Sequence, residues 1–167
     1  MQSTALQNLA AISAGKDRQA LQPLFELIAA EHNTQALTSA GLVIKAGTST
    51  LAKTGSSAFY AIVGGRLVTI AGSTDMPALT GLNITAGSYN VACFFVDAAG
   101  TVSARFGTEG TALGRVKFPD FPINAALVGF LIITYASAFT GGTTALDTAT
   151  TVYVSPVGAV DPTFLYA

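Results

Sequence analysis

Residues 125–135 read AALVGFLIITY, with Lys117-Phe118-Pro119-Asp120-Phe121-Pro122 before them and Thr140-Gly141-Gly142 after. In an extended chain alternate side chains point to opposite sides, so Val128, Phe130 and Ile132 form one set and Leu127, Leu131 and Ile133 the other. Both sets are apolar, which predicts a strand covered on both faces. A helix competes at this length, but Gly129, the Ile132-Ile133 pair and the flanking aromatics favour β. A membrane helix needs about 20 apolar residues, more than this stretch supplies. The stretch is therefore expected to be the central strand of a β core.

Short β-rich runs surround it. Upstream, Tyr89 to Asp97 and Thr101 to Phe106 form a candidate hairpin through Asp97-Ala98-Ala99-Gly100, where Asp starts the turn and Gly finishes it. Ala58 to Val63 and Arg66 to Ile70 flank Gly64-Gly65, the signature of a tight hairpin whose turn needs positive φ. Leu42 to Ala46 is the first run, Thr111 to Phe118 a weaker one, and Thr150 to Ser155 the last. Seven or eight such strands, with no alternating helices, predict a mainly β fold: an antiparallel sandwich or barrel-like body over residues 40–167. Residues 1–39 carry no β signal and are expected to form an N-terminal helical arm. Within it Leu21, Leu24, Phe25 and Ile28 recur at helical spacing, with Pro23 in the first turn of a helix running to about His32, and Leu6, Leu9 and Ile12 mark an earlier short helix. Helices this short are marginal in water, so their apolar stripes must dock on something.

Composition narrows the function. Of 167 residues 50% are hydrophobic and only 10% charged, against roughly 25% charged in an ordinary soluble domain. Much of the surface must be Ser, Thr, Gly and Ala, or lie against other protein. A net charge of -1, with no Lys/Arg cluster, argues against nucleic-acid binding. The single cysteine, Cys93, has no intrachain disulfide partner and sits in the apolar run Val91–Val96, which suits a small buried hydrophobe. Met1–Leu6 lacks the basic start and apolar core of a secretory signal, so synthesis in a cytoplasm without export by that route is expected, with no membrane partner.

Residues able to do chemistry are scattered. Histidine chemistry depends on His32, placed at a predicted helix end beside Glu31, where the helix dipole alone accounts for it. A metal site from His32, Glu26 and Glu31 is incomplete, because adjacent residues point to different sides of a helix. Asp75, Asp97, Asp120, Asp147 and Asp161 all lie beside turn residues, a role Asp fills through its side chain. Gly64-Gly65, Gly107 to Gly110 and Gly141-Gly142 lack the Lys and the strand-loop-helix context of a phosphate loop. No catalytic, cofactor or metal site is expected, nor enzymatic activity.

The run from Phe118 to Gly158, FPDFPINAALVGFLIITYASAFTGGTTALDTATTVYVSPVG, resembles virion structural proteins of tailed bacteriophages, in particular capsid decoration (cement) or head-fibre proteins. The resemblance is carried by Leu127-Val128-Gly129, by Phe139 to Asp147 and by Thr151-Val152-Tyr153-Val154. It implies a β-rich, non-enzymatic subunit, a homotrimer on the outer capsid surface whose partner is the major capsid protein; it carries over no catalytic residue. A tail-fibre or baseplate subunit is the nearest alternative, although continuous heptads and fibrous repeats are absent. A carbohydrate-binding β-sandwich module is the alternative of another class, weakened by the lack of Trp for stacking on sugars. Candidate docking or assembly residues are Leu21, Leu24, Phe25 and Ile28 of the arm, expected to meet a capsid or a neighbouring subunit, with docking on the chain's own body as the alternative, Phe130 of the central strand, and Phe164, Leu165 and Tyr166 near the end of the chain.

Overall fold

The apolar run 125–135 becomes an interior strand. In the computed structural model, which describes residues 33–158, β1 (Gln35–Ala36), β2 (Val43–Ile44), β3 (Ala52–Lys53), β4 (Phe59–Val63) and β5 (Arg66–Ile70) are followed by β6 (Asn83–Ile84) and β7 (Tyr89–Asp97). The chain continues through β8 (Val102–Phe106), β9 (Ala125–Thr134), β10 (Phe139–Thr140) and β11 (Thr150–Val154). The main sheet has the order β11-β9-β7-β8, a second has β1-β4-β5, and β2-β3 and β10-β6 are two-stranded. Every strand pair is antiparallel. A mainly β body made of antiparallel sheets is therefore what these residues form.

Each face of β9 has its own cover. On one side Ala126, Val128, Leu131 and Ile133 join Phe94 and Val96 of β7 in the larger core, together with Phe59, Ala61, Val63, Val68 and Ile70 from the inner face of the β1-β4-β5 sheet. On the other, Leu127 and Phe130 join Val91, Cys93 and Phe95 in a smaller core with Val116. Burying one large apolar side chain is worth about 1.5–3 kcal/mol, so a strand that buries them on both faces anchors the whole body.

The two sets of β9 differ from simple alternation. Phe94 lies opposite Gly129 but Phe95 lies opposite Leu127, so Val128 is an extra residue, a β-bulge. One inserted residue reverses which face the following side chains take. Val128 therefore shares a core with Leu131 and Ile133, while Leu127 shares one with Phe130 and Ile132. Both faces remain apolar, as the composition of the run requires.

The two hairpins form where their turn residues place them. Gly64 and Gly65 have φ of 57° and 79°, the pair of positive values a type I′ turn needs. Between β7 and β8, the Asp97 Oδ1 accepts hydrogen bonds from the amides of Ala99 and Thr101, both 2.9 Å.

Two expectations change at element level. Thr111 to Phe118 is not a strand. It holds a 3-10 turn at Leu113–Arg115, and the chain doubles back so that Thr108 bridges Lys117. A Cβ on Gly107 would lie 2.2 Å from the Lys117 carbonyl oxygen, so this return depends on glycine. The strap so made lays Phe118 edge-on to Phe130, with ring centroids 5.0 Å apart, and Phe121 edge-on to Phe95 at 5.1 Å. It covers the smaller core with aromatics in the T-shaped geometry that ring quadrupoles favour. The β body also starts before residue 40, because Gln35 and Ala36 pair with Ile62 and Ala61. The helices expected around Leu6 to Ile12 and Leu21 to His32 lie outside the described residues.

Gly129 is a point where two other segments pass close over the central strand. A Cβ there would meet the Val154 carbonyl oxygen at 2.5 Å and the Leu42 Cδ1 at 2.6 Å. The same crossing is tied by Leu42 N–H donating to Ser155 Oγ (2.9 Å) and by Ser39 Oγ donating to the Ser155 carbonyl (3.1 Å). Gly129→Ala should lower stability by about 1–3 kcal/mol through overpacking, read as an earlier urea midpoint at unchanged slope. A wild-type midpoint would show that the crossing is looser than described.

Candidate assembly surfaces

Polar side chains in the described body mainly fasten loops. Asp147 Oδ2 accepts from the Thr48 amide (2.7 Å), holding a residue whose φ is 61°. Lys45 and Asp75 form an exposed ion pair at 2.5 Å, of a kind usually worth at most about 1 kcal/mol. Arg105 donates to the Asp120 carbonyl at 3.0 Å, fastening the strap to β8. Glu109 accepts from the Thr85 amide at 3.1 Å; this bond and the Thr85 hydroxyl hold its carboxyl below the usual range. Burial pushes the Cys93 thiol far above its ordinary value, so it stays protonated within the smaller core. Burial, with the Asp147 charge adding to it, also raises the Tyr153 phenol. Among the described residues no three His, Cys, Asp or Glu side chains are grouped to hold a metal ion, and no helix is long and apolar enough to cross a membrane. His32, Glu26, Glu31 and Asp161 lie outside them.

Large apolar side chains nevertheless remain in solvent. The outer face of the β1-β4-β5 sheet carries Tyr60, Ile62 and Leu67, and Leu67 is 65% exposed. Ile62 is directly opposite Leu67, and Leu37 extends the face where its amide donates to the Tyr60 carbonyl (2.8 Å). Beyond β1, Gly158 N–H donates to the Ala36 carbonyl (2.8 Å). That antiparallel bridge sets Val157, 57% exposed, opposite Leu37. Arg66, at the end of β5, is the charged residue in these strands.

A second surface is the free edge of the main sheet. Among the described residues β11 pairs only with β9, and Thr150–Val154 has no charged residue. Its Val152 is 52% exposed and lies opposite the half-buried Ile132. Exposed sheet edges are usually blunted by charge, Pro or a bulge, because their unpaired backbone groups invite another strand. The β11 run carries neither charge nor Pro.

Of the candidate docking residues, Phe130 is described, and it lies within the smaller core against Phe118. It is buried and so is not itself part of an exposed surface. Leu21, Leu24, Phe25, Ile28, Phe164, Leu165 and Tyr166 lie outside the described residues. The outer sheet face escaped sequence reasoning, yet the signal was present: Phe59–Val63 is apolar at every position, like β9, and a strand of that kind asks for two covers. No family model, curated protein or solved structure matches the chain.

Cys93 should resist a water-soluble thiol reagent in the native protein and react fully in denaturant; fast native labelling would contradict the burial of β7. The lowered carboxyl of Glu109 contributes stability above the ordinary glutamate range, and that contribution is lost as pH falls through its folded value. Glu109→Gln should therefore lower stability above the glutamate range and flatten part of the acid limb of a stability-versus-pH curve, leaving the slope of the alkaline side unchanged.

Proposed function

We propose that this protein is a non-enzymatic structural subunit of a tailed-phage particle, decorating and stabilising the capsid through subunit contacts. The observation that carries the reading is the uncharged β11 edge, where exposed Val152 lies opposite half-buried Ile132 of β9. A surface of this kind gains by being buried against another protein, since apolar area returned from water is worth about 25 cal/mol per Å². The low charge of the whole chain and the resemblance of residues 118–158 to decoration proteins support the same reading. In it, the larger core is the interior of an antiparallel β-sandwich and the subunit is a homotrimer bound to the major capsid protein at the virion surface.

Electron microscopy of the native particle tests this directly. The protein should be found on the outer capsid at fixed lattice positions; particles lacking it altogether would overturn the reading. In solution, light scattering should report three times the monomer mass. Val152→Lys should change the unfolding midpoint by no more than about 0.5 kcal/mol, as surface substitutions do, while weakening the trimer or its capsid binding. A screen over glycans, esters and peptides should show no turnover.

A further inference from the structure

The backbone groups left open on the β11 edge can be assigned residue by residue. In an antiparallel sheet each residue turns its N–H and C=O to one side, and consecutive residues alternate between the two neighbouring strands. Gly107 N–H donates to the Val91 carbonyl (2.8 Å) and Asp97 N–H to the Thr101 carbonyl (3.1 Å), so the odd-numbered residues of β7 bond toward β8. Asn90, Ala92 and Phe94 therefore bond toward β9, where Ile133, Leu131 and Gly129 lie opposite them. That leaves Phe130, Ile132 and Thr134 to bond toward β11, to Val154, Val152 and Thr150. Thr151 and Tyr153 are left facing outward, and among the described residues no backbone partner meets them. The next outward residue, Ser155, already has its carbonyl taken by Ser39 Oγ (3.1 Å). The open stretch of edge is therefore Thr151 to Tyr153.

We propose that this stretch pairs with the same stretch of a second copy of the chain, antiparallel about a two-fold axis at Val152. In that register Thr151 exchanges both hydrogen bonds with the partner's Tyr153, and Tyr153 with the partner's Thr151, so every outward N–H and C=O of the stretch is satisfied. Only an extended backbone offers donors and acceptors at this spacing, which makes the occupant a strand. A second copy fits because the stretch is complementary to itself: like charges directly opposite would be destabilising, and β11 has none. The other outer strands of the two larger sheets do carry charge, Arg105 in β8 and Arg66 in β5. Val152 meets the partner's Val152 in a non-hydrogen-bonded pair, the kind with the closer side chains. Its exposed side chain is thereby covered on the face it shares with Ile132. The inference rests on the reading of β11 as a contact surface and names what it contacts. A two-fold contact is not one of the equivalent contacts within a closed trimer, so it joins a copy in one trimer to a copy in the next. So short an edge buries far less than the roughly 800 Å² per partner of a stable interface. The pairing therefore holds copies crowded on a lattice and leaves the trimer as the species in dilute solution.

Cysteine cross-linking of the concentrated full chain decides the matter. In a Cys93→Ala background, Val152→Cys should oxidise to a linked pair running at twice the chain mass on a non-reducing denaturing gel. Opposed residues of a non-hydrogen-bonded pair have Cα atoms about 4.5 Å apart, within the roughly 4.4–6.8 Å that a disulfide spans. Thr150→Cys should stay unlinked, because Thr150 lies opposite the partner's Val154 and the two Thr150 positions are about 13 Å apart. Absence of the linked pair from Val152→Cys, or equal linking of the two variants, would overturn the proposal. Electron microscopy separates this outcome from the reading beneath it. Capsids that carry the protein while Val152→Cys stays unlinked overturn the two-fold pairing alone, whereas linking without capsid attachment overturns the capsid reading alone.

Discussion

Everything in this structure depends on β9 having no polar face. A strand that is apolar on both sides cannot border water, so the protein must supply two covers, and it does so in different ways. The inner face of the β1-β4-β5 sheet closes one side with aliphatic residues and Phe59. The strap through Phe118 and Phe121 closes the other with aromatic rings set edge-to-face on Phe130 and Phe95. The bulge at Val128 is what fits β9 to both covers at once. It delivers Leu131 and Ile133 to the larger core and Phe130 to the smaller one, and brings Gly129 to the place where Val154 and Leu42 cross over it.

The same logic separates what was legible in the sequence from what was not. The β9 run, the Gly64-Gly65 hairpin and the Asp97–Gly100 turn were legible because each rests on local chemistry: unbroken apolarity, positive φ, and an Asp side chain bonding its own turn. The bulge was not, since a single inserted residue leaves composition untouched and is decided by the register of β7. The strand expected at Thr111 to Phe118 is instead part of the strap. Its course is set by the close passage of Gly107 beneath Lys117, a tertiary contact. Of the two-residue strands, β2 falls within the expected Leu42–Ala46 run, whereas β3, β6 and β10 are too short for any periodicity to reveal. Of the candidate surfaces, the apolarity of Phe59–Val63 was on view, but its free outer side could be recognised only once the larger core had claimed the inner one.

Charge and function meet in the same accounting. The carboxylates whose side-chain partners are described hold turns and loops, through Thr48, Thr85, Lys45 or the amides after Asp97, and Cys93 is shut inside the smaller core. What faces outward is largely Thr, Ser, Gly and unpaired apolar residues. A body with such a surface is suited to being held against other protein, the part played by a decorating subunit in the function proposed above.

Native-state hydrogen exchange followed residue by residue tests the central claim, that the two-faced strand governs the fold. If it does, the amides of β9 and of β7 beside it, from Val91 to Val96 and from Leu127 to Ile133, should exchange only through global unfolding, with the same free energy as denaturant unfolding. Exchange of β9 amides by local opening, as fast as those of the 107–124 strap, would mean that the strand is not the element the rest is built upon.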